Sequence, residues 1–345
     1  MSSNTSSSSD NTDTPISIRG SNMDSDKLRS SMPDDASPYT FPLGPDTNGE
    51  HCWSQLDATT FQVRGPDYLE DKVKISSEPA MFDLMHFDIF RSNDKIGNVA
   101  ARRDSWLRAA RKAGDTRYYL VVVYVTPSAP YIHLALYYAV QPERVRASSN
   151  FAALWKQFTA HGPEGDAFRN ERWKVIPRVA EGSWIVTNAV GAKPALLATK
   201  LTHTWIICDG IVDNNNLSNN TNTVEIADTG CSSTGPGRGR GGSFSTVSGP
   251  GPYLECDCDV ASSSMAYVLV SLLQSYAKYI VIDLGFAIEP RENENLPEVV
   301  LGSVRLSRID VDRPIIVDAE PQDWILGSEG QLHGNKPADN DDDEN

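Results

Sequence analysis

The chain has 345 residues, room for one large domain or two small ones. Its net charge of −15 is uneven: residues 1–50 carry −5 and residues 318–345 carry −8, which leaves −2 for 51–317. That nearly neutral body lacks the basic field general nucleic-acid binding requires, and five cysteines without CxxC spacing exclude a disulfide framework or zinc ribbon and suit a reducing compartment.

Residues 1–50 are rich in Ser, Asn, Asp and Pro, and bury too little apolar surface to offset the entropy of ordering. Disorder is expected there. The segment has no basic, apolar signal pattern, and Asp10 and Asp13 are foreign to acid-poor transit peptides, so a cytoplasmic protein is expected. An ordered domain should run from His51 to about Val317. In chain order, Phe61–Val63 reads as a strand and Asp104–Ala113 as a basic helix stopped by Gly114. Tyr118–Val125 and Tyr131–Val140 read as a hairpin across Pro127 and Pro130, and Phe151–Phe158 as a short helix.

From Asp166 to Thr202, polar and apolar residues alternate in short runs punctuated by Gly and Pro, the pattern of consecutive antiparallel strands. Strands are placed at Trp173–Val179, Ser183–Ala189 and Ala195–Trp205. Residues 209–252, with NNNLSNNTNT and GPGRGRGGS, have no period and read as a low-complexity insertion at a hairpin tip. Tyr253–Val260 is a strand. Ser262–Lys278 is a helix with serine caps, on which Met265, Val268, Leu269, Leu272 and Leu273 recur at helical spacing. Ile280–Ile288 and Val299–Ile309 close the set as strands, and residues 318–345 form an acidic tail expected to be disordered.

The run Ala266–Ile288 is apolar, but Gln274, Ser275, Lys278 and Asp283 interrupt it. Each charge near a bilayer centre costs roughly 2.5–3.5 kcal/mol, so a buried helix leading into a buried strand is expected instead. Many strands with few helices between them give an α+β fold. Its curved, mostly antiparallel, open-barrel-like sheet should pack on one long helix and several short ones.

Three constellations are candidate sites. Glu255, Asp257 and Asp259 alternate on one strand and share a face, while Cys256 and Cys258 share the other. Such acids bind a cation or hold one proton, or else pair across strands with Arg172, Lys174 or Arg178; pairing is the expectation. The stretch Arg91–Arg117 holds eight basic against three acidic residues, with Arg102, Arg103, Arg108, Arg111 and Lys112 available to anionic lipid or to solvent. Trp173 and Trp184 are core anchors or walls of an apolar cavity. The six histidines are not at metal spacing, and no nucleophile elbow, phosphate loop or dinucleotide fingerprint occurs, so no metal, cofactor or catalytic residue is assigned. Arg238 and Arg240 of the glycine-arginine run are too few to indicate nucleic acid.

Several of these runs resemble one family. They are Cys52–Trp53 with Phe61–Gly65, Asp166–Pro177, Gly182–Val186, Ala189–Leu197, Tyr253–Ser264 and Leu296–Leu306. Together they are similar to the C-terminal domain of the Enhanced Disease Resistance 2 proteins of plants and protists. The resemblance spans nearly all of residues 51–310, with departures at 209–252, Ala261 and Ser105–Arg117. It implies a lipid- or membrane-associated regulatory module without established catalytic residues. In plants the domain commonly follows lipid-binding domains, and none is expected within the first fifty residues here. The expected function is lipid binding or sensing at a membrane periphery, with a lipid ligand or anionic surface as partner. The alternative is a protein-interaction module with a filled core and partner-recruiting acidic tails. An enzyme built on Asp257 and Asp259 stands third.

Overall fold

The computed structural model describes residues 49–191, 194–209 and 251–317, with Ser25, Arg29, Met32 and residues 42–44. Most of the segments expected to be disordered at 1–50 and 318–345, and most of the 209–252 insertion, lie outside the described residues. Within the first fifty, Leu43 bridges Trp53 and Ser25 hydrogen-bonds Asp83, so contacts with the body begin before His51.

The fold is α+β, with a strongly curled, half-barrel arrangement of sheet. Its strands are β1 (Cys52–Ser54), β2 (Gln62–Arg64), β3 (Lys74–Ser76), β4 (Phe82–Ser92), β5 (Tyr119–Val125), β6 (Tyr131–Val140), β7 (Trp173–Glu181), β8 (Ala195–Leu196), β9 (Thr202–Asp209), β10 (Pro252–Asp259), β11 (Val281–Ile288), β12 (Val300–Ser307) and β13 (Ile316–Val317). The helices are α1 (Tyr68–Asp71), α2 (Trp106–Lys112), α3 (Pro142–Ala147), α4 (Ser149–Phe158), α5 (Gly162–Arg172), α6 (Trp184–Val190) and α7 (Ser264–Tyr276). Five strands form the order β1-β12-β11-β7-β8, six form β13-β4-β6-β5-β10-β9, and β2 pairs with β3 alone. Pairing is antiparallel except for β10 on β5 and β13 on β4.

The main core lies between the five- and six-stranded sheets, where Trp53, Phe87, Leu120, Trp173, Phe286 and Leu301 meet. A second cluster covers the outer face of the six-stranded sheet, with Met85, Phe90, Trp106, Tyr119 and Tyr137 under α2. That sheet is therefore buried on both faces. Cys256 and Cys258 face the main core, as alternation on β10 requires.

One helix takes the opening of the run read as strand-like, and another replaces the strand expected at Ser183–Ala189. Residues 162–172 form α5, so the opening of the alternating run is helical. At α6, the Ser183 hydroxyl accepts the Val186 N–H and Gly191 ends the helix at φ +64°, an N-cap and a glycine stop that outweigh the strand-like sequence between them. The expected single strand at 195–205 is broken by a 3-10 turn, Leu197–Thr199, between β8 and β9. The helix at 264–276 occupies its expected place but has no fully buried residue, where a buried helix was expected. No described helix is long and apolar enough to cross a membrane.

Candidate functional site

Alternation on the strands carries apolar side chains into the space between the sheets. Ile132, Leu134 and Leu136 of β6 point inward with Phe87 and Tyr124, and Val175, Pro177, Ile282, Leu284 and Leu306 answer from the five-stranded sheet. Helix α7 closes one side through Ala266, Leu269, Val270, Leu273 and Ala277, the i, i+3, i+4 stripe of one helical face. Between them lies a cavity of about 350 Å³. Its lining contains no charged residue, and only Tyr124, Thr126 and Gln274 bring polar groups.

Two of those polar groups are restrained. The Thr126 hydroxyl accepts the Ile132 N–H at 2.7 Å. Burial pushes the Tyr124 phenol well above its ordinary range, so it stays neutral, and its ring stacks on Phe286 at 6.4 Å. A charged group placed inside would have no counter-ion, and desolvation would drive it out. The space suits an apolar chain whose polar end remains outside.

The two tryptophans part company. Trp173 is wholly buried and stacks on Phe286 at 5.5 Å, behind the cavity rather than on its wall. Trp184 opens α6 and is 75 % exposed, so it is neither core nor lining.

The carboxylate ladder lies on the outer face of the six-stranded sheet, beneath a strap formed by residues 95–101. Glu255 accepts the Val99 and Ala100 N–H groups at 2.6 and 2.9 Å, and Asp257 accepts that of Asn98 at 3.0 Å. Asp259 pairs with Lys95 at 2.7 Å. Pairing with Arg172, Lys174 or Arg178 does not occur, because β7, which carries Lys174 and Arg178 and follows Arg172 at the end of α5, belongs to a different sheet from β10. Arg172 instead pairs with Glu292 at 2.8 Å, Lys174 with Glu298, and Arg178 with Asp283 at 3.2 Å. Burial raises the pKa of both Glu255 and Asp257, and the charge of Asp257 beside Glu255 raises the latter further. The ladder anchors backbone. Among the described residues no cluster of His, Cys, Asp or Glu could hold a metal.

The basic residues near α2 do not form one open face. Arg102 is buried, bonded to Asp104 at 3.1 Å and set over the Phe90 ring. Arg111 donates to the carbonyls of Asp115 and Pro252 and covers the Tyr119 ring. Arg108 is half-buried, leaving Arg103 and Lys112 exposed.

Sequence reasoning missed the lining of β4, β6 and β7, because an inward strand residue looks the same whether it meets a neighbour or a void. The helical stripe on α7 was the signal within reach.

Residues 53–310 match the family model described as "Protein ENHANCED DISEASE RESISTANCE 2, C-terminal". The chain belongs to this family. A curated relative from Arabidopsis thaliana, "Protein ENHANCED DISEASE RESISTANCE 2-like", is 27 % identical over 269 residues. That similarity covers 78 % of this chain and 30 % of the relative, so the chain spans under a third of that protein's length. No solved structure matches it. The family's C-W, G-S-W and L-G-x-V-R-L runs now have places: Trp53 in the main core, Ser183 capping α6, and Gly302 on β12 against Tyr138.

Proposed function

We propose that this Enhanced Disease Resistance 2 C-terminal domain is a non-catalytic lipid-binding module, cytoplasmic and peripheral to membranes, that holds an apolar tail between its two sheets. The supporting observation is the cavity of about 350 Å³ without a charged residue in its lining. That volume falls in the range of about 300–1,000 Å³ typical of small-molecule sites. A holding role is favoured over chemistry because the lining carries no carboxylate, histidine or cysteine to act as base or nucleophile. A regulatory role follows if lipid occupancy changes what the surface presents. The filled-core alternative fits less well with a space of this size beside the core.

Native mass spectrometry of purified protein should find co-purifying lipid near one per chain. Ala266→Phe, which projects a ring into the cavity from α7, should lower that occupancy severalfold with little change in melting temperature. A wild-type protein free of lipid that takes up no fluorescent fatty acid would refute the proposal.

A further inference from the structure

Helices α6 and α7 leave large apolar side chains in solvent. On α7, Met265 is 82 % and Val268 67 % exposed; on α6, Trp184 and Ile185 are exposed and only Val186 is buried. The two helices pack on each other, and the turn after α7 adds exposed Tyr279. Soluble proteins rarely gather such side chains unless something covers them. A helix apolar on both sides ordinarily lies in a protein interior or against lipid.

Charge points to which kind of cover. No Asp or Glu occurs from Gly182 to Cys208 or from Val260 to Ile282, in a chain with 46 of them, while the exposed Lys200 does occur there. Of the acids near these stretches, Glu181 pairs with Arg308 and Asp283 with Arg305 at 2.7 Å, while Asp310 and Asp312 share Lys278 at 2.9 and 3.1 Å, which leaves Lys278 no free charge for a headgroup. An anionic headgroup layer repels carboxylates and attracts lysines, and Trp and Tyr favour the level of the headgroups. The inner side of α7 lines the cavity through Ala266, Leu269 and Leu273, and Val190 at the end of α6 reaches the same lining. A bilayer resting on the outer side would stand one helix diameter, about 10 Å, from the cavity.

We propose that α6 and α7 form a membrane-docking surface, in which Trp184, Ile185, Met265 and Val268 enter the headgroup–acyl boundary of an anionic bilayer. Transfer of lipid past α7 rests on the lipid-binding reading above; docking itself does not require a filled cavity.

Flotation of the full chain with phosphatidylcholine vesicles containing phosphatidylserine tests the proposal. Wild type should float, and float less on phosphatidylcholine alone. Val268→Asp on α7 and Trp184→Ser on α6 should each reduce vesicle-bound protein, the former at least about tenfold, since it removes a membrane-inserted valine and adds a charge. Both positions are exposed, so melting temperature and co-purified lipid should stay at wild-type values. Flotation lost in the variants while wild type carries no lipid and takes up no fluorescent fatty acid sustains docking and refutes lipid holding. A wild type that floats on neither vesicle, variants that float equally well, or a wild-type dimer dissolved by Val268→Asp would overturn the docking surface, the last in favour of a second copy.

Discussion

Glu255 and Asp257 sit side by side on β10, and each uses its acid oxygens differently. Both Glu255 oxygens accept backbone N–H groups, whereas Asp257 Oδ1 is buried without an N–H donor, and the two carboxyl groups hydrogen-bond each other through the proton they hold. Asp257→Asn keeps an oxygen for the Asn98 N–H and turns an amide N–H toward the Glu255 carboxyl, while removing one charge from the pair. Both pKa values are raised, so the folded protein binds these protons more tightly than the unfolded chain. Their contribution to stability is complete below the unfolded carboxylate range, near pH 4, and is lost as pH rises through the raised values. The variant should therefore gain on wild type as pH increases, measured as urea midpoints at pH 4 and pH 8. Glu255→Gln turns an amide N–H₂ toward a backbone N–H and should cost about 1–3 kcal/mol at pH 4, a difference that narrows by pH 8 because this variant too removes a raised carboxyl. Equal midpoints for Asp257→Asn and wild type at both pH values would mean the pair carries no shared penalty.

At the scale of elements, β4 shows how local geometry hides a strand. Its pairing with β6 shifts register between Leu84 and His86, so the inward residues are Phe82 and Leu84 before the bulge and Phe87 and Ile89 after it. The change of phase destroys the period-two pattern over FDLMHFDIFRS, and both faces are buried, so the run looked featureless. The error at α6 had the opposite origin: β-branched Ile185, Val186 and Thr187 suggested a strand, while the decisive signals were the Ser183 cap and Gly191 stop. Strand β12 accounts for a glycine the sequence left unexplained. A Cβ on Gly302 would lie 2.4 Å from the Tyr138 ring, which itself packs edge-on against Phe286 at 5.9 Å. Gly302→Ala should destabilise by about 1–3 kcal/mol through overpacking, read as a lowered denaturation midpoint. A neutral result would show that the Tyr138 ring can yield.

For the whole molecule, β9 and β10 pair antiparallel from Asp209 with Pro252 at one end to Thr202 with Asp259 at the other. The chain thus leaves and returns at neighbouring points, and residues 210–251 join two strands that are already side by side. Replacing them with a five-residue Gly/Ser turn shortens the connection by about three doublings, which should raise stability by up to about 2 kcal/mol through lower closure entropy. Thermal unfolding of the shortened chain measures this; loss of the folded state would mean the inserted residues support the sheet.

Composition, periodicity and turn chemistry in the sequence determined the α+β class, the β5–β6 hairpin, the β10–α7–β11 succession, and the placing of cysteines and acids on opposite faces of β10. These rest on neighbours within a few residues, where backbone geometry is local. The tertiary structure alone decided that β7 and β10 stand on opposite sides of the core, so the expected acid–base pairs never meet. It also decided that one apolar side of α7 meets a cavity and the other meets solvent. Helical spacing cannot separate those faces when both are apolar, because what a side chain touches depends on chain segments brought from far away.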